Sequence, residues 1–380
     1  MKQIFSLTAI ASAALSAALS ATLLAGPAMA QSSVTIYGTV DAFGQVLDGA
    51  ARQGRLQSGG LSGSRLGFRG SEDMGGGLRA FFVLESGLNL DDGSIGQGGT
   101  FYGRQALVGL ATPYGQISLG RQYSSLYTAT SDFSIFSNSP AGPSTALIGG
   151  FGGGYEPVRG ASNTATPPAA GATGNSGPAR VNNSLRYESP AWRGFSASVL
   201  YGAGEVASAA QDARLFDLGL RYTVADFDVL LSYVDDKAIG TTAAQLTNAS
   251  TVTLAATYSW RPVRFAAGYL EFNDKRGANQ DGHGYWIGAD YRIGQHLLKA
   301  QYVENKPKFG TDNKSMAFGV GWTYALSKRT ALYTSLTRFE NDAQAGSGGL
   351  GRFNSAIPAG VTSVGDNNLT ELALGMRHSF

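Results

Sequence analysis

Hydrophobic and polar positions alternate strictly at the carboxy-terminal end of the chain. Leu372, Leu374, Met376, His378 and Phe380 share one face, and Glu371, Ala373, Gly375, Arg377 and Ser379 share the other. A period of two predicts an extended strand with one greasy face and one small or polar face. Termini of soluble proteins tend to fray into water. A strand that stops on a bare aromatic suits a lipid interface better, as the last strand of a closed barrel in the bacterial outer membrane.

The same alternation recurs through most of the chain. It predicts strands over 34–42, 61–72, 77–89, 101–111, 116–122, 181–189, 194–203, 213–224, 227–235, 250–260, 263–272, 282–293, 296–304, 314–326, 329–340 and 368–380. Seven joints are short and turn-like: Asp73 to Gly77, Thr112 to Gly115, Ser189 to Arg193, Ala225-Asp226, Arg261-Pro262, Gly294-Gln295 and Ser327-Lys328. About sixteen strands of roughly ten residues, joined alternately by short and long connections, predict an all-β transmembrane antiparallel β-barrel. An even number brings both ends of the barrel to the short-turn side. Closure then removes edges that lipid would not tolerate. A soluble sandwich or propeller would not explain the short and long rhythm together with the terminal Phe.

Aromatic residues mark the same ends of the strands. Tyr114, Trp192 and Trp260 sit at or beside short turns, and Tyr222 and Tyr324 just precede others. Amphipathic rings at strand ends fit a membrane–water interface. The amino terminus fits export. Lys2, an Ala-rich apolar run from Ile4 to Gly26 and the small-residue site Ala28-Met29-Ala30 read as a cleavable secretory leader over 1–30. The barrel is then a single domain over 31–380, with no later run of the ~18 apolar residues a membrane helix needs.

Composition narrows the chemistry. There is no cysteine, so disulfides and thiolate metal sites are excluded. Mean hydropathy is −0.07, too low for a helical membrane bundle but suited to strands whose two faces cancel. With 29 basic and 27 acidic residues, and only Lys2 of these in the leader, the mature chain carries +1. That balance gives no bulk attraction to nucleic acid. Selectivity has to come from where charges sit.

One connection, from about Tyr123 to Arg180, is far longer than the rest and rich in Gly, Ser, Ala and Pro. Loops of this length are functional or disordered. Phe133, Ile135, Phe136 and Leu147 make its first part apolar enough to pack, whereas Thr164 to Pro178 reads as solvated. Its glycines are no phosphate cradle, because no Lys-Ser/Thr follows and no strand–loop–helix surrounds them.

A barrel of this strand number encloses an aqueous channel, so inward residues are polar. Leu66 and Phe68 take the lipid face of the second strand, which turns Arg65 and Arg69 inward. The same rule turns Arg79 and Glu85 inward in the third strand, and Arg186 inward with Asn182, Ser184 and Glu188 in the sixth. Alternation alone does not place Arg104. Any one of these arginines could simply neutralise a neighbouring carboxylate.

Several segments, in order, resemble Gram-negative general diffusion porins of the Neisseria, Bordetella and Burkholderia type. They are QSSVTIYG at Gln31–Gly38, SRLGFRGSEDMGGGL at Ser64–Leu78, LESG at Leu84–Gly87, GRQALVGL at Gly103–Leu110, LGRQY at Leu119–Tyr123, NNSLRY at Asn182–Tyr187, and the final Phe380. The resemblance implies a sixteen-stranded barrel, a homotrimer and a long third loop folded into the lumen. It also places Arg104 with Arg65 and Arg186 in a basic cluster facing that loop. Phe380 resembles the signal read by the barrel-assembly machinery. The surroundings implied are outer-membrane lipid and lipopolysaccharide. The third loop departs from the pattern, being longer and richer in Gly and Ala.

The function this implies is a channel for passive passage of ions and small hydrophilic solutes. Asp132 and Glu156 are the main acidic residues of the third loop. Set against Arg65, Arg69, Arg104 and Arg186, they would create a transverse field with a weak preference for anions. A solute-specific channel would show an aromatic or basic track along the lumen, and none is evident. An adhesin or phage receptor would act through the outer loops. The three histidines, His283, His296 and His378, fall on separate strands, and no His-x-x-His or Asp-rich calcium loop occurs. No cofactor and no catalytic site are therefore expected.

Overall fold

The computed structural model describes residues 33–143, 179–203, 214–239, 246–274, 282–308, 314–341 and 368–380. The leader over 1–30, Leu147, Glu156 and the Thr164 to Pro178 stretch lie outside the described residues. Seventeen strands form one antiparallel sheet. They are β1 (Ser33–Asp48), β2 (Arg52–Ser58), β3 (Arg65–Gly75), β4 (Leu78–Gly87), β5 (Gln105–Thr112), β6 (Gly115–Tyr123), β7 (Arg180–Glu188), β8 (Phe195–Gly202) and β9 (Leu215–Val224). The wall continues with β10 (Phe227–Ile239), β11 (Leu246–Trp260), β12 (Val263–Asp274), β13 (Gly282–Ile293), β14 (His296–Pro307), β15 (Ser315–Ala325), β16 (Thr330–Asn341) and β17 (Leu369–Ser379).

The sheet closes on itself. β1 pairs with β17 from Thr39 opposite Ser379 to Asp48 opposite Thr370. Both β2 and β3 pair with β1, β2 with its far half and β3 with its near half. They are one interrupted stave, so the barrel closes with sixteen staves.

Several boundaries differ from the sequence pattern: β3 starts at Arg65 rather than 61, β10 runs to Ile239 rather than 235, and β11 starts at Leu246 rather than 250. β1 does not stop at Ala42 but runs to Asp48 and turns directly into β2, where the pattern left a connection over 43–60. The cause is an inverted face. Phe43 and Leu47 point into the barrel and are buried there, so the apolar-out rule lapses. β5 starts at Gln105 rather than 101, and Phe101 to Arg104 belong to the preceding connection.

The outer face is apolar on the other staves, while among the described residues the inner face is apolar only where the third loop packs on it. On β17, Glu371 and Ala373 are buried inside while Leu372, Leu374 and Met376 are exposed to the outside. Val108 and Leu110, Ile117 and Leu119, and Leu185 and Tyr187 are likewise exposed on the outer face. Tyr114, Trp192 and Trp260 are among the most exposed large side chains, at the short-turn end. Among the described residues no helix is long and apolar enough to cross a membrane. The chain crosses with strands.

Candidate pore constriction

The third loop enters the barrel at once. Ser124 caps a helix, α1 (Ser125–Asp132), by accepting a hydrogen bond from the Tyr127 N–H through its side chain. The helix packs against β9, β10 and β11 from inside. Asp217 of β9 accepts from the Ser125 N–H at 2.6 Å and also from the Ser125 hydroxyl, which lies 2.6 Å from that of Ser232. Leu126 joins Val181, Leu200, Leu215 and Val234 in a buried apolar cluster.

Beyond α1 the loop is strapped to the opposite wall. The Gln301 side-chain oxygen accepts from the Ile135 N–H at 2.8 Å, the Phe136 N–H at 3.3 Å and the Ser134 hydroxyl at 3.0 Å. Trp286 donates its indole N–H to the Phe133 carbonyl at 2.8 Å. The loop thus crosses from β6 to the β13–β14 wall. Further on it reaches the interrupted stave, where the Ala141 N–H donates to the Gly60 carbonyl at 3.1 Å.

Arginines gather on the wall that the loop leaves open. Arg104 donates from Nε to Glu85 Oε1 at 2.7 Å, and Arg65 Nε lies 3.8 Å from the other oxygen. Tyr37 donates to the same carboxylate at 3.0 Å. Arg186 donates to the Tyr123 carbonyl at 3.1 Å and pairs with Glu188 at 2.5 Å. Arg180 lies over the rings of Tyr123 and Tyr127 at 5.1 and 5.5 Å, and those rings stack on each other at 4.3 Å. Arg121 donates to the Gly103 carbonyl at 2.8 Å.

Around Tyr123 five guanidiniums therefore meet two wall carboxylates, Glu85 and Glu188. A cavity of about 390 Å³ opens beside them, lined among others by Arg65, Arg104 and Arg180. Across it the third loop presents Tyr127, Ser131, Asn138 and Ser139, and the connection between β4 and β5 adds Asp91 and Asp92.

The residues expected to line the narrowing are partly brought together. Arg65 and Arg104 share Glu85, and Arg186 is two contacts away through Tyr123. Arg69 lies nearer the short-turn end, exposed, with its guanidinium 5.0 Å from the Tyr37 ring. Asp132 ends α1, accepts from the Ser131 hydroxyl at 2.9 Å and is not among the residues lining the cavity beside Arg65 and Arg104. Glu156 lies outside the described residues. Sequence reading missed Arg180, Arg121 and the Tyr123–Tyr127 stack. Tyr123 and Arg180 are register partners beyond a bulge where β6 and β7 shift, with Asn183 at φ +50°. Simple alternation does not extend through a bulge.

A closed barrel with a charged, hydroxyl-rich interior, narrowed by inward loops, defines a membrane channel rather than a packed domain. A family model described as Gram-negative porin matches residues 11–344, and the chain belongs to that family. An outer membrane porin, protein 32 of Delftia acidovorans, is 31% identical over 374 residues, covering 96% of this chain and 98% of that protein. An outer membrane porin of Bordetella pertussis is 29% identical over 368 residues, covering 81% of this chain and 89% of its own length. The solved anion-selective porin from Comamonas acidovorans superposes with a TM-score of 0.77 at 28% identity, over 92% of this chain and all of that one. The protein is a general diffusion porin of the outer membrane.

Proposed function

We propose that this porin passes small hydrophilic solutes with a weak preference for anions, set by Arg65, Arg104 and Arg180 at the cavity with Arg186 and Arg121 close by. The observation that carries the reading is the one-sided charge. Arg65, Arg104 and Arg180 line one side of the cavity opposite hydroxyls and an amide of the third loop, Asp91 and Asp92 of the β4–β5 connection are the acids beside them, and Asp132 is not part of the lining. Beside low-dielectric protein walls, fixed charges act on a passing ion more strongly than in bulk solution. The similarity to a protein titled an anion-selective porin supports the same sign.

The assembly we infer is a homotrimer in outer-membrane lipid and lipopolysaccharide. Export would use the 1–30 leader, and insertion the barrel-assembly machinery acting on Phe380. We read the protein as a channel without a catalytic site. His283, His296 and His378 lie on β13, β14 and β17, and His296 is stacked with Trp322 at 5.9 Å rather than set beside a nucleophile.

Planar-bilayer recording tests the reading. Across a tenfold potassium chloride gradient the zero-current potential takes the sign of chloride preference, and neutral sugars enter porin liposomes at rates that fall smoothly with size. A cation-selective potential would refute the proposed selectivity. Uptake of one sugar out of line with its size would favour a solute-specific channel.

A further inference from the structure

The narrowing has a second inward element besides the third loop. Between β2 and β3 the stave leaves the wall over Gly59–Ser64 and folds towards the lumen. Asp41 of β1 holds this fold with every polar atom it has. Its Oδ2 accepts from the N–H groups of Leu61 at 2.9 Å and Ser62 at 2.8 Å, and its Oδ1 accepts from the Tyr333 hydroxyl at 2.5 Å. Its backbone carbonyl accepts from the Gly59 N–H at 2.7 Å, and its N–H donates to the Ser64 hydroxyl at 3.0 Å. The carboxylate is fully buried.

The fold touches both sides of the pore. Towards the third loop, the Gly60 carbonyl accepts from the Ala141 N–H at 3.1 Å and from the Ser139 hydroxyl. Leu61 packs against the cluster of Phe43, Ala141, Tyr333 and Ala373. A Cβ on Gly60 would collide with Phe43 and Tyr333, so the approach is as close as backbone allows. Towards the arginines, the Gly63 carbonyl accepts from Arg65 Nη1 at 3.2 Å, and Gly63 lies against the Arg104 guanidinium. Leu61, Ser62, Gly63 and Ser64 line the same cavity as the arginines.

We propose that Asp41 is a positioning residue for ion selectivity: it latches the Gly59–Ser64 fold, which fixes the guanidiniums of Arg65 and Arg104 and docks the third loop at Ser139 and Ala141. A buried carboxylate that accepts two backbone N–H groups and a phenol is a strong, directional anchor. Removing its oxygens leaves those donors unsatisfied and frees the fold. The inference rests on the reading of Arg65 and Arg104 as selectivity residues.

Two substitutions separate position from charge. Asp41→Asn removes the charge but keeps an acceptor for Leu61 and Ser62, with the Tyr333 hydroxyl rotating to accept from the amide. Asp41→Ala removes both. A positioning role predicts that Asp41→Ala lowers the anion-to-cation permeability ratio twofold or more, while Asp41→Asn stays close to wild type. A direct charge role predicts that both raise the ratio equally, which would overturn the proposal, as would no change in either.

The chain has no cysteine of its own, so a Leu61→Cys, Ala141→Cys pair can be bridged by a short bifunctional thiol reagent. Bridging in the Asp41→Ala background restores the wild-type ratio if the latch is the cause, and a failure to restore it overturns the proposal. Should Asp41→Ala not assemble, Ser139→Ala decides: a lowered ratio supports the latch, and an unchanged one refutes it. Neutralising Arg65 and Arg104 distinguishes the two levels. If that leaves the ratio unchanged, the selectivity reading itself fails. If it moves the ratio and Asp41→Ala does not, only the latch fails.

Discussion

Arg104 and Glu85 form a buried ion pair across the mouth of β4 and β5, with Nε 2.7 Å from Oε1. The same carboxylate faces Arg65 and accepts from Tyr37. Glu85 is therefore an organiser that holds two like charges side by side, and a brake on the field they produce. Two guanidiniums could not share so small a volume without it.

Replacing Glu85 by Gln removes the brake and keeps an acceptor for Arg104. A unit charge about 8 Å from a passing ion is worth ~0.5 kcal/mol in water-like surroundings. The anion-to-cation permeability ratio of Glu85→Gln should rise by about two- to fivefold, with a smaller change in conductance. Zero-current potentials in dilute and concentrated salt check this, and the effect should shrink in concentrated salt through screening.

Neutralising Arg65, Arg104 and Arg186 together with residues of similar size moves selectivity the other way, towards cations. Conductance should change less than selectivity, because the field governs the sign of the ion and the bore governs the flow. Arg193 is the control. It lies in the short turn between β7 and β8 against the exposed Trp192 ring, and its replacement by Gln should leave the zero-current potential where it was.

Phe380 closes the barrel through its backbone as much as its ring. Its N–H and carbonyl exchange hydrogen bonds with Gly38, both at 3.1 Å, and a Cβ on Gly38 would collide with the ring. Deleting Phe380 should lower outer-membrane levels far more than it lowers the heat resistance of the refolded barrel, since one half-exposed ring contributes only about 1–3 kcal/mol. Gly38→Val is the complementary variant. It leaves the terminal aromatic in place but displaces it, and should cost thermal stability while export continues. Comparing membrane fractions with the gel-shift melting of purified protein separates the two.

How far the sequence could be read depends on what each side chain faces. Where one face meets lipid and the other water, as on β17 or at Leu185 and Tyr187 of β7, alternation is strict and the strand and its inward residues are legible. Arg65 and Arg186 were found this way. Phe43 and Leu47 broke the rule because the inward fold and the third loop cover that part of the lumen, turning a polar wall into an apolar seat. Arg180 and Arg121 were hidden by the bulge between β6 and β7. The role of Asp41 is not legible, since nothing in its neighbours announces that the next stave will fold inward onto it. Long-range pairing of this kind leaves no local period to read.

A single side chain bears much of the attachment of the third loop to the wall. Gln301 Oε1 accepts from two backbone N–H groups and one hydroxyl of the Ser134–Phe136 turn. Gln301→Leu leaves those donors facing hydrocarbon, at a cost of about 1–3 kcal/mol for each one buried. Gln301→Glu keeps the acceptor. The Leu variant should show greater open-channel current noise and close at lower applied voltage, because the loop explores positions that the wild-type anchor forbids. The Glu variant should stay as quiet as wild type. Trp286→Phe removes one donor to the same turn, the indole N–H on the Phe133 carbonyl, and should fall between them. Equal noise in all three would mean that the apolar seat of Phe133, Ile135 and Phe136 holds the loop on its own and that the polar clamp adds nothing.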